Sequence, residues 1–100
     1  MSGPIYKVFM GRALTPWYEL SEEERKALFV KLDEAMKEAG GKSIVTANAG
    51  AFSDEWQVCG VEEFPDLDSV HKYAAALQKL EWFRYIESKS VLGVPWEEDT

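Results

Sequence analysis

The chain has 100 residues, 46% of them hydrophobic and 29% charged, and a formal net charge of −7. This length and composition predict one globular domain over residues 1–100. The negative charge, with no basic run, argues against a nucleic-acid partner or an anionic membrane surface. One cysteine and one histidine exclude an internal disulfide and make a metal site within one chain unexpected. The start of the chain does not resemble a signal peptide, and no apolar run approaches the roughly 18 residues of a membrane span, so we expect a cytoplasmic protein.

The first half of the chain predicts a strand and a long helix. Residues 5–14, IYKVFMGRAL, are rich in β-branched and aromatic side chains and predict a strand covered on both faces. TPWYEL then predicts a loop. Residues 21–39 predict a helix, because Ser21 and Glu24 have the spacing of a capping box and Gly40-Gly41 favours a helix end.

The second half predicts a hairpin, a helix and a last strand. KSIVTANAG and EWQVCGVEEF predict two strands, and GAFSD between them predicts the turn of an antiparallel hairpin. Asp66 is a candidate N-cap for a helix from about Leu67 to Leu80. Its predicted apolar stripe comprises Leu67, Val70, Ala74 and Leu77. The last strand is expected from about Tyr85 to Leu92, followed by an acidic tail over about residues 94–100.

The predicted order is β-α-β-β-α-β, which is typical of an α+β, ferredoxin-like domain. This layout has a four-stranded antiparallel sheet with two helices on one face. The other face of the sheet would be apolar and uncovered, and large apolar patches usually mark interaction sites. We therefore expect a homodimer whose sheets pack face to face.

Three segments resemble a known protein family. They carry an aromatic before an L-S-x-E-E-R helix start, an A-F-S turn, and a W-F-x-Y cluster before the last strand, in Trp17–Phe29, Gly50–Leu77 and Glu81–Glu98. The layout resembles the dimeric α+β barrel superfamily, and these segments resemble its darcynin-like proteins. The resemblance implies the fold and the dimer. Superfamily members that use a histidine pair at the end of the second helix have no counterpart here, since this chain reads LQKLEWFRY at that place.

Four polar residues are candidates for catalysis. His71 is a candidate general base, because an imidazole can accept and release a proton, but it lies beside the predicted apolar stripe and suits a surface position. Tyr73, close to that stripe, is a second candidate for proton transfer. Asn48 and Arg12 could orient a carbonyl or enolate oxygen if they face the helices, and would be solvated if they lie at strand edges.

Two further features of the third predicted strand bear on chemistry. We expect the strand to fray at Glu62 and Glu63 so that both carboxylates face water. If the strand persists, one of them must point inward, where burial would raise its pKa and it could act as a base. Cys59 is expected to be a buried, inert thiol.

Five aromatic residues are candidates for ligand binding, although a core or dimer role suits them equally. They are Trp17, Tyr18, Trp56, Trp82 and Tyr85. In the cluster at the end of the second helix, we expect Phe83 to be core and Trp82 to lie nearer a cleft between sheet and helices.

Three hypotheses on function follow. The first is a metal-free and cofactor-free enzyme of oxygenase, isomerase or cyclase type, acting on a hydrophobic or aromatic small molecule. The alternative is a non-catalytic dimeric protein that binds a small molecule or is structural. Haem binding through His71 is less favoured; the superfamily resemblance suggests it, but the chain offers no second histidine.

Overall fold

The computed structural model describes residues 3–97, and the last three positions of the predicted acidic tail lie outside the described residues. Its elements are β1 (Ile5–Ala13), α1 (Thr15–Tyr18), α2 (Glu22–Ala39), β2 (Lys42–Asn48), β3 (Val58–Phe64), α3 (Leu67–Lys79), α4 (Trp82–Tyr85) and β4 (Ile86–Gly93). The strands form one antiparallel sheet in the order β2-β3-β1-β4. This arrangement confirms the predicted α+β, ferredoxin-like fold. No helix among residues 3–97 is long and apolar enough to cross a membrane.

The two long helices begin and end where local chemistry predicts. The Glu24 amide donates to Ser21 Oγ at 3.1 Å, and the Ser21 amide donates to Glu24 Oε1 at 2.9 Å, which completes the capping box. Gly40 ends α2 with φ 81°, a left-handed conformation that glycine adopts at little cost. Asp66 caps α3, where its Oδ1 accepts from the Ser69 amide at 2.8 Å.

Three predicted boundaries are wrong. β3 starts at Val58, because Ser53 Oγ accepts from the amides of Glu55 and Trp56 and turns the chain before it joins the sheet. TPWYEL contains the short helix α1, whose start accommodates Pro16 because the first helical amides need no partner within the helix. The W-F-x-Y cluster forms the separate helix α4, preceded by Glu81 at φ 56°.

The register of the strands divides the sheet into two faces. In β1, alternate residues Lys7, Phe9 and Gly11 face the helices, and their partners on β3 are Glu62, Gly60 and Val58. The opposite face is the open face, defined here by the alternate positions of the four strands. Its members are Tyr6, Val8, Met10, Arg12, Lys42, Val45, Ala47, Cys59, Val61, Glu63, Glu87, Lys89 and Val91.

The core lies between β3, α2 and α3. Phe64 has 0% exposure and packs against Tyr73, with ring centroids 5.7 Å apart. The other buried apolar residues are Ala35, Met36, Ala39 and Leu77. On α3 the buried positions are Ser69, Tyr73 and Leu77, spaced i, i+4, i+8, whereas the predicted stripe residues Leu67 and Ala74 are exposed. Tyr73 therefore stands at the centre of the buried face of α3.

Candidate functional site

A cleft opens between the helix-facing side of the sheet and helices α2, α3 and α4. Its volume is about 90 Å³. The wall is mostly apolar and comprises Phe9, Gly11, Leu32, Val58, Leu77, Trp82, Phe83 and Ile86. Four polar side chains also line it, namely Lys7, Glu62, Tyr73 and Ser88. We call this space the sheet–helix cleft.

Gly60 shapes the floor beside the cleft. A Cβ atom at this position would lie 2.8 Å from the Phe9 ring and 2.5 Å from the Val45 carbonyl oxygen. The lack of a side chain at Gly60 therefore lets Phe9 lie across β3, where it forms part of the apolar wall.

Lys7, Glu62 and Tyr73 form a polar trio in the sheet–helix cleft. The Lys7 Nζ and Glu62 Oε1 atoms are 4.0 Å apart, and the two side chains are 19% and 12% exposed. Lys7 Nζ also lies 5.6 Å from the centroid of the Tyr73 ring. A separation of 4.0 Å is too long for a hydrogen bond. Within residues 3–97, no member of the trio makes a side-chain hydrogen bond.

Burial raises the pKa values of two members of the trio, Glu62 and Tyr73. It raises the pKa of the Glu62 carboxyl above the ordinary value of 4.5, and the Lys7 charge partly offsets this rise. Burial also raises the pKa of the Tyr73 phenol, and the nearby charges of Glu62 and Asp33 raise it further. Tyr73 is therefore a neutral hydroxyl donor at any physiological pH. Glu62 binds a proton more tightly than an exposed glutamate does.

The trio supplies three complementary functions at one place. A carboxylate can accept a proton, an ammonium can stabilise negative charge on oxygen, and a neutral phenol can donate a hydrogen bond. Lys7 and Glu62 are ion-pair partners of each other, and within residues 3–97 no buried side-chain nitrogen or oxygen lacks a hydrogen-bond partner. The polar atoms of the trio that make no hydrogen bond therefore remain accessible to solvent, and so to a molecule that enters the cleft.

The positions of Glu62 and Glu63 show that the expected fraying of the strand at these residues is wrong. β3 continues to Phe64 without fraying, so Glu62 and Glu63 lie on opposite faces of the sheet. Glu62 points into the sheet–helix cleft. Glu63 Oε2 lies 3.3 Å from Lys42 Nζ on the open face, and the Glu63 carboxylate raises the pKa of the neighbouring Tyr6 phenol.

An aromatic cluster closes one side of the cleft. Trp17, Phe29 and Trp82 meet edge to face, with ring centroids 5.5 to 6.3 Å apart. Trp82 belongs to both the cluster and the cleft wall, and it packs against the core. Phe83 is exposed at the cleft, so the expectation that it is core is wrong. Glu81, in a left-handed conformation at φ 56°, separates α4 from α3, and both Trp82 and Phe83 of α4 line the cleft.

The other aromatic candidates lie outside the lining of the cleft. The Tyr18 hydroxyl accepts from Gln57 Nε2 at 3.2 Å. The Trp56 ring lies 5.7 Å from the Arg12 guanidinium carbon, and the Tyr85 ring lies 5.8 Å from that of Arg84. Of the five predicted ligand-binding aromatics, the structure places Trp82 in the cleft wall and Trp17 directly behind it.

Of the polar residues predicted as catalytic candidates, one lines the cleft and the others lie outside it. Tyr73 lines the cleft, whereas Arg12 forms an ion pair with Glu87 on the open face. Asn48 is exposed at the end of β2, and its Oδ1 accepts from the Gly50 amide at 2.9 Å. His71 is exposed on α3 and is not among the cleft residues. Cys59 is a free, half-buried thiol on the open face.

Lys7 is the site residue that sequence reasoning missed. The sequence feature that could have identified it is a charged residue in the middle of an apolar strand, two residues from Ile5 and from Phe9. A charge at such a position must have a partner or a function. The partner, Glu62, lies 55 residues along the chain and becomes visible only through the β1–β3 register.

A second, wider recess lies near the two chain ends. It has a volume of about 830 Å³ and is lined mainly by apolar side chains, among them Pro4, Pro65, Leu67 and Trp96. Asp66, also in its lining, already accepts the Ser69 amide as the cap of α3. Within residues 3–97 no group of three or more His, Cys, Asp or Glu side chains could hold a metal ion. We therefore take the smaller sheet–helix cleft, where polar groups converge, as the candidate site.

Comparisons with known proteins identify the fold. No protein-family model matches the sequence, and a search of curated proteins finds no match. Chlorite dismutase from Candidatus Nitrospira defluvii in complex with imidazole matches with a TM-score of 0.75 and 15% identity, over 96% of this chain and 41% of that chain. A variant of that enzyme in complex with cyanide matches with a TM-score of 0.75 and 14% identity, over 96% and 41%.

A protein of unknown function from Rhodopseudomonas palustris also matches, with a TM-score of 0.66 and 16% identity, over 97% of this chain and 85% of that chain. The chain spans about two fifths of the length of the chlorite dismutases, 41% in both structures above. The finer likeness to darcynin-like proteins stays a prediction. At these identities the comparisons establish the architecture, and the chain has the ferredoxin-like α+β fold found in chlorite dismutase.

Proposed function

We propose that this protein is a homodimeric α+β barrel that binds a small, largely apolar organic molecule in the sheet–helix cleft. The observation that carries the proposal is the convergence of Lys7, Glu62 and Tyr73, without hydrogen-bonded partners of their own, inside an apolar wall. Ligand pockets commonly combine such a wall with a few converging polar groups that set orientation. The darcynin-like resemblance fits this proposal and names no ligand.

The cleft favours a compact ligand with a polar end. Its volume of about 90 Å³ is well below the roughly 300–1,000 Å³ typical of pockets for drug-sized ligands. A single ring would contact Leu77, Trp82 and Phe83, and its oxygen substituent would receive hydrogen bonds from Lys7 and Tyr73. We therefore propose a one-ring compound carrying a carbonyl or hydroxyl group.

A direct test identifies the compound without assuming it. Native mass spectrometry of the protein purified from its own host should show an added mass of a one-ring organic compound. The Lys7→Met variant should lose that mass, because it removes the donor, while Lys89→Met on the open face should retain it. Retention of the same mass by Lys7→Met would place the ligand elsewhere and contradict the proposal.

The dimer is proposed to form through the open face. Val8 is 46% exposed and Val91 is 64% exposed at its centre, although β1 and β4 are paired strands of one sheet. The pairs Arg12–Glu87 and Lys42–Glu63 flank this apolar centre. A second copy supplies a matching apolar face by two-fold symmetry. Light scattering should give about twice the 11.4 kDa chain mass, and a value near 11.4 kDa at micromolar concentration would contradict the dimer.

Haem does not fit the residues of this chain. The only histidine, His71, is exposed on α3 and is absent from the cleft lining, so it cannot ligate a group held there. Titration with haem should therefore give no Soret band that depends on His71. The parent protein and the His71→Ala variant should give the same spectrum. Appearance of such a band would favour the haem hypothesis over the one-ring ligand.

A further inference from the structure

We infer that Glu62 is a general base that removes a proton from the carbon next to a carbonyl group, and that Lys7 stabilises the resulting enolate oxygen. The inference rests on the proposed function and deepens it. It names the substrate class as a small enolisable ketone, ester or lactone, and the reaction as proton transfer leading to isomerisation.

The geometry supports this division of roles. Glu62 and Lys7 face each other across the β1–β3 ladder, and their charged atoms stay 4.0 Å apart. The two charged groups are thus close enough to act on adjacent atoms of one ligand. Neither group is occupied in a hydrogen bond with the other. A carbonyl oxygen at Lys7 would bring its α-carbon within reach of the Glu62 carboxylate.

Tyr73 completes the site as a neutral donor. Its side chain packs on the Phe64 ring and faces Lys7, Glu62 and, more distantly, Asp33 of α2. These are the charged groups that bear on the trio from β1, β3 and α2. Because the phenol stays protonated, it can hold the carbonyl oxygen together with Lys7 but cannot compete with Glu62 as the base.

The proposed step balances without a further reactant. The Glu62 carboxylate takes the proton from the α-carbon, the C–H electron pair becomes the carbon–carbon double bond, and the carbonyl electron pair moves to oxygen. Lys7 holds that negative oxygen by charge and hydrogen bonding. Glu62 then returns its proton to the same carbon or, in a conjugated substrate, to the far end of the system, which shifts the double bond. No oxidant, reductant or metal takes part in the balance.

Raised proton affinity suits Glu62 to this role. Burial moves its pKa upward from the ordinary value of a carboxyl, which makes it a stronger base than an exposed glutamate. The Lys7 charge limits that rise and keeps the ionised form accessible. Exposed His71, outside the cleft, has no such relationship to a bound ligand.

The test uses acetophenone, a one-ring enolisable ketone, with the intact protein in deuterium oxide. Binding is followed by tryptophan fluorescence, since Trp82 lines the cleft, and by saturation-transfer NMR. Proton exchange is followed as deuterium uptake at the acetophenone methyl group. We expect the protein to bind acetophenone and to accelerate uptake. Glu62→Gln should lower the protein-catalysed rate by about 100-fold or more while still binding the ketone.

Two further variants separate catalysis from folding. Lys7→Met should lower the rate and weaken binding, since it removes the oxygen-stabilising charge, and Glu38→Gln on the exposed side of α2 should leave both unchanged. Glu62→Asp, which keeps a carboxylate but shortens its reach, should retain part of the rate. Nuclear magnetic resonance amide spectra of each variant confirm the fold before rates are compared.

The outcomes distinguish the two proposals. Binding of acetophenone without accelerated uptake, or with uptake unchanged in Glu62→Gln, overturns the general-base inference and leaves the binding function standing. Failure of acetophenone to bind, with no retained organic mass in the native protein, overturns the proposed function and the inference with it. Binding together with uptake that depends on Glu62 supports both.

Discussion

Lys7 of β1 lies directly opposite Glu62 of β3, and the two side chains project into the same sheet–helix cleft with their charged atoms 4.0 Å apart. Each neighbour along the strand, Tyr6 or Glu63, projects to the other face. A pair of opposite charges in an apolar wall is costly to desolvate, and at this distance its attraction is not reinforced by a hydrogen bond. Such a pair is not expected to add much to the stability of the fold, and its position fits the ligand site proposed above.

The raised pKa of Glu62 predicts a pH dependence of stability. Between its ordinary pKa of 4.5 and its higher folded pKa, the folded state binds more protons than the unfolded state. The free energy of unfolding should therefore fall as pH rises through this window. Urea unfolding at a series of pH values measures the slope, and Glu62→Gln should make it shallower.

The matched control for this pH effect is Glu38→Gln, on the exposed side of α2. It should leave the slope as in the parent protein, because the Glu38 side chain is exposed to solvent. A slope that is unchanged in Glu62→Gln, or equally reduced in both variants, would contradict the assignment of the effect to Glu62.

Phe64 should be among the most sensitive positions for stability. It has 0% exposure and packs on Tyr73, so Phe64→Ala should cost about 3–5 kcal/mol of unfolding free energy through lost burial and a residual cavity. Phe52 is 92% exposed, and Phe52→Ala should change stability by less than about 0.5 kcal/mol. Urea denaturation compares them, and similar losses in both variants would show that the core is not where the structure places it.

The open face should control self-association. A glutamate at Val8 places a charge at the apolar centre of this face, so Val8→Glu should shift the dimer to monomer in light scattering. Val30 on α2 has comparable exposure and lies away from the sheet, so Val30→Glu is the control and should stay dimeric. A dimer that persists in Val8→Glu would move the interface to another surface.

Trp82 should affect the ligand rather than the dimer. Its ring lines the cleft and meets Trp17 and Phe29, so Trp82→Ala removes part of the apolar wall. We expect binding of acetophenone to weaken by tenfold or more, about 1.4 kcal/mol, with the dimer mass unchanged in light scattering. Loss of the dimer with binding intact would instead assign Trp82 to the subunit interface.

Local chemistry made much of the secondary structure predictable. Ser21, Glu24 and Gly40 set the ends of α2 through hydrogen bonds and conformations that span only a few residues. Asp66 does the same for α3. Because such signals are read within one helical turn, the order of the main elements, and hence the fold class, followed from the sequence.

The candidate site depends on contacts between distant parts of the chain. Which glutamate points inward is decided by the β1–β3 register, since a shift of one residue would exchange Glu62 for Glu63. Trp82 and Phe83 follow Glu81, whose left-handed conformation is uncommon for a glutamate and is not signalled by the sequence. Sequence patterns therefore determined the elements and the apolar open face. The pairing of strands and the packing of α3 and α4 determined that Lys7, Glu62 and Tyr73 share one cleft, because these contacts are formed only when the whole sheet is assembled.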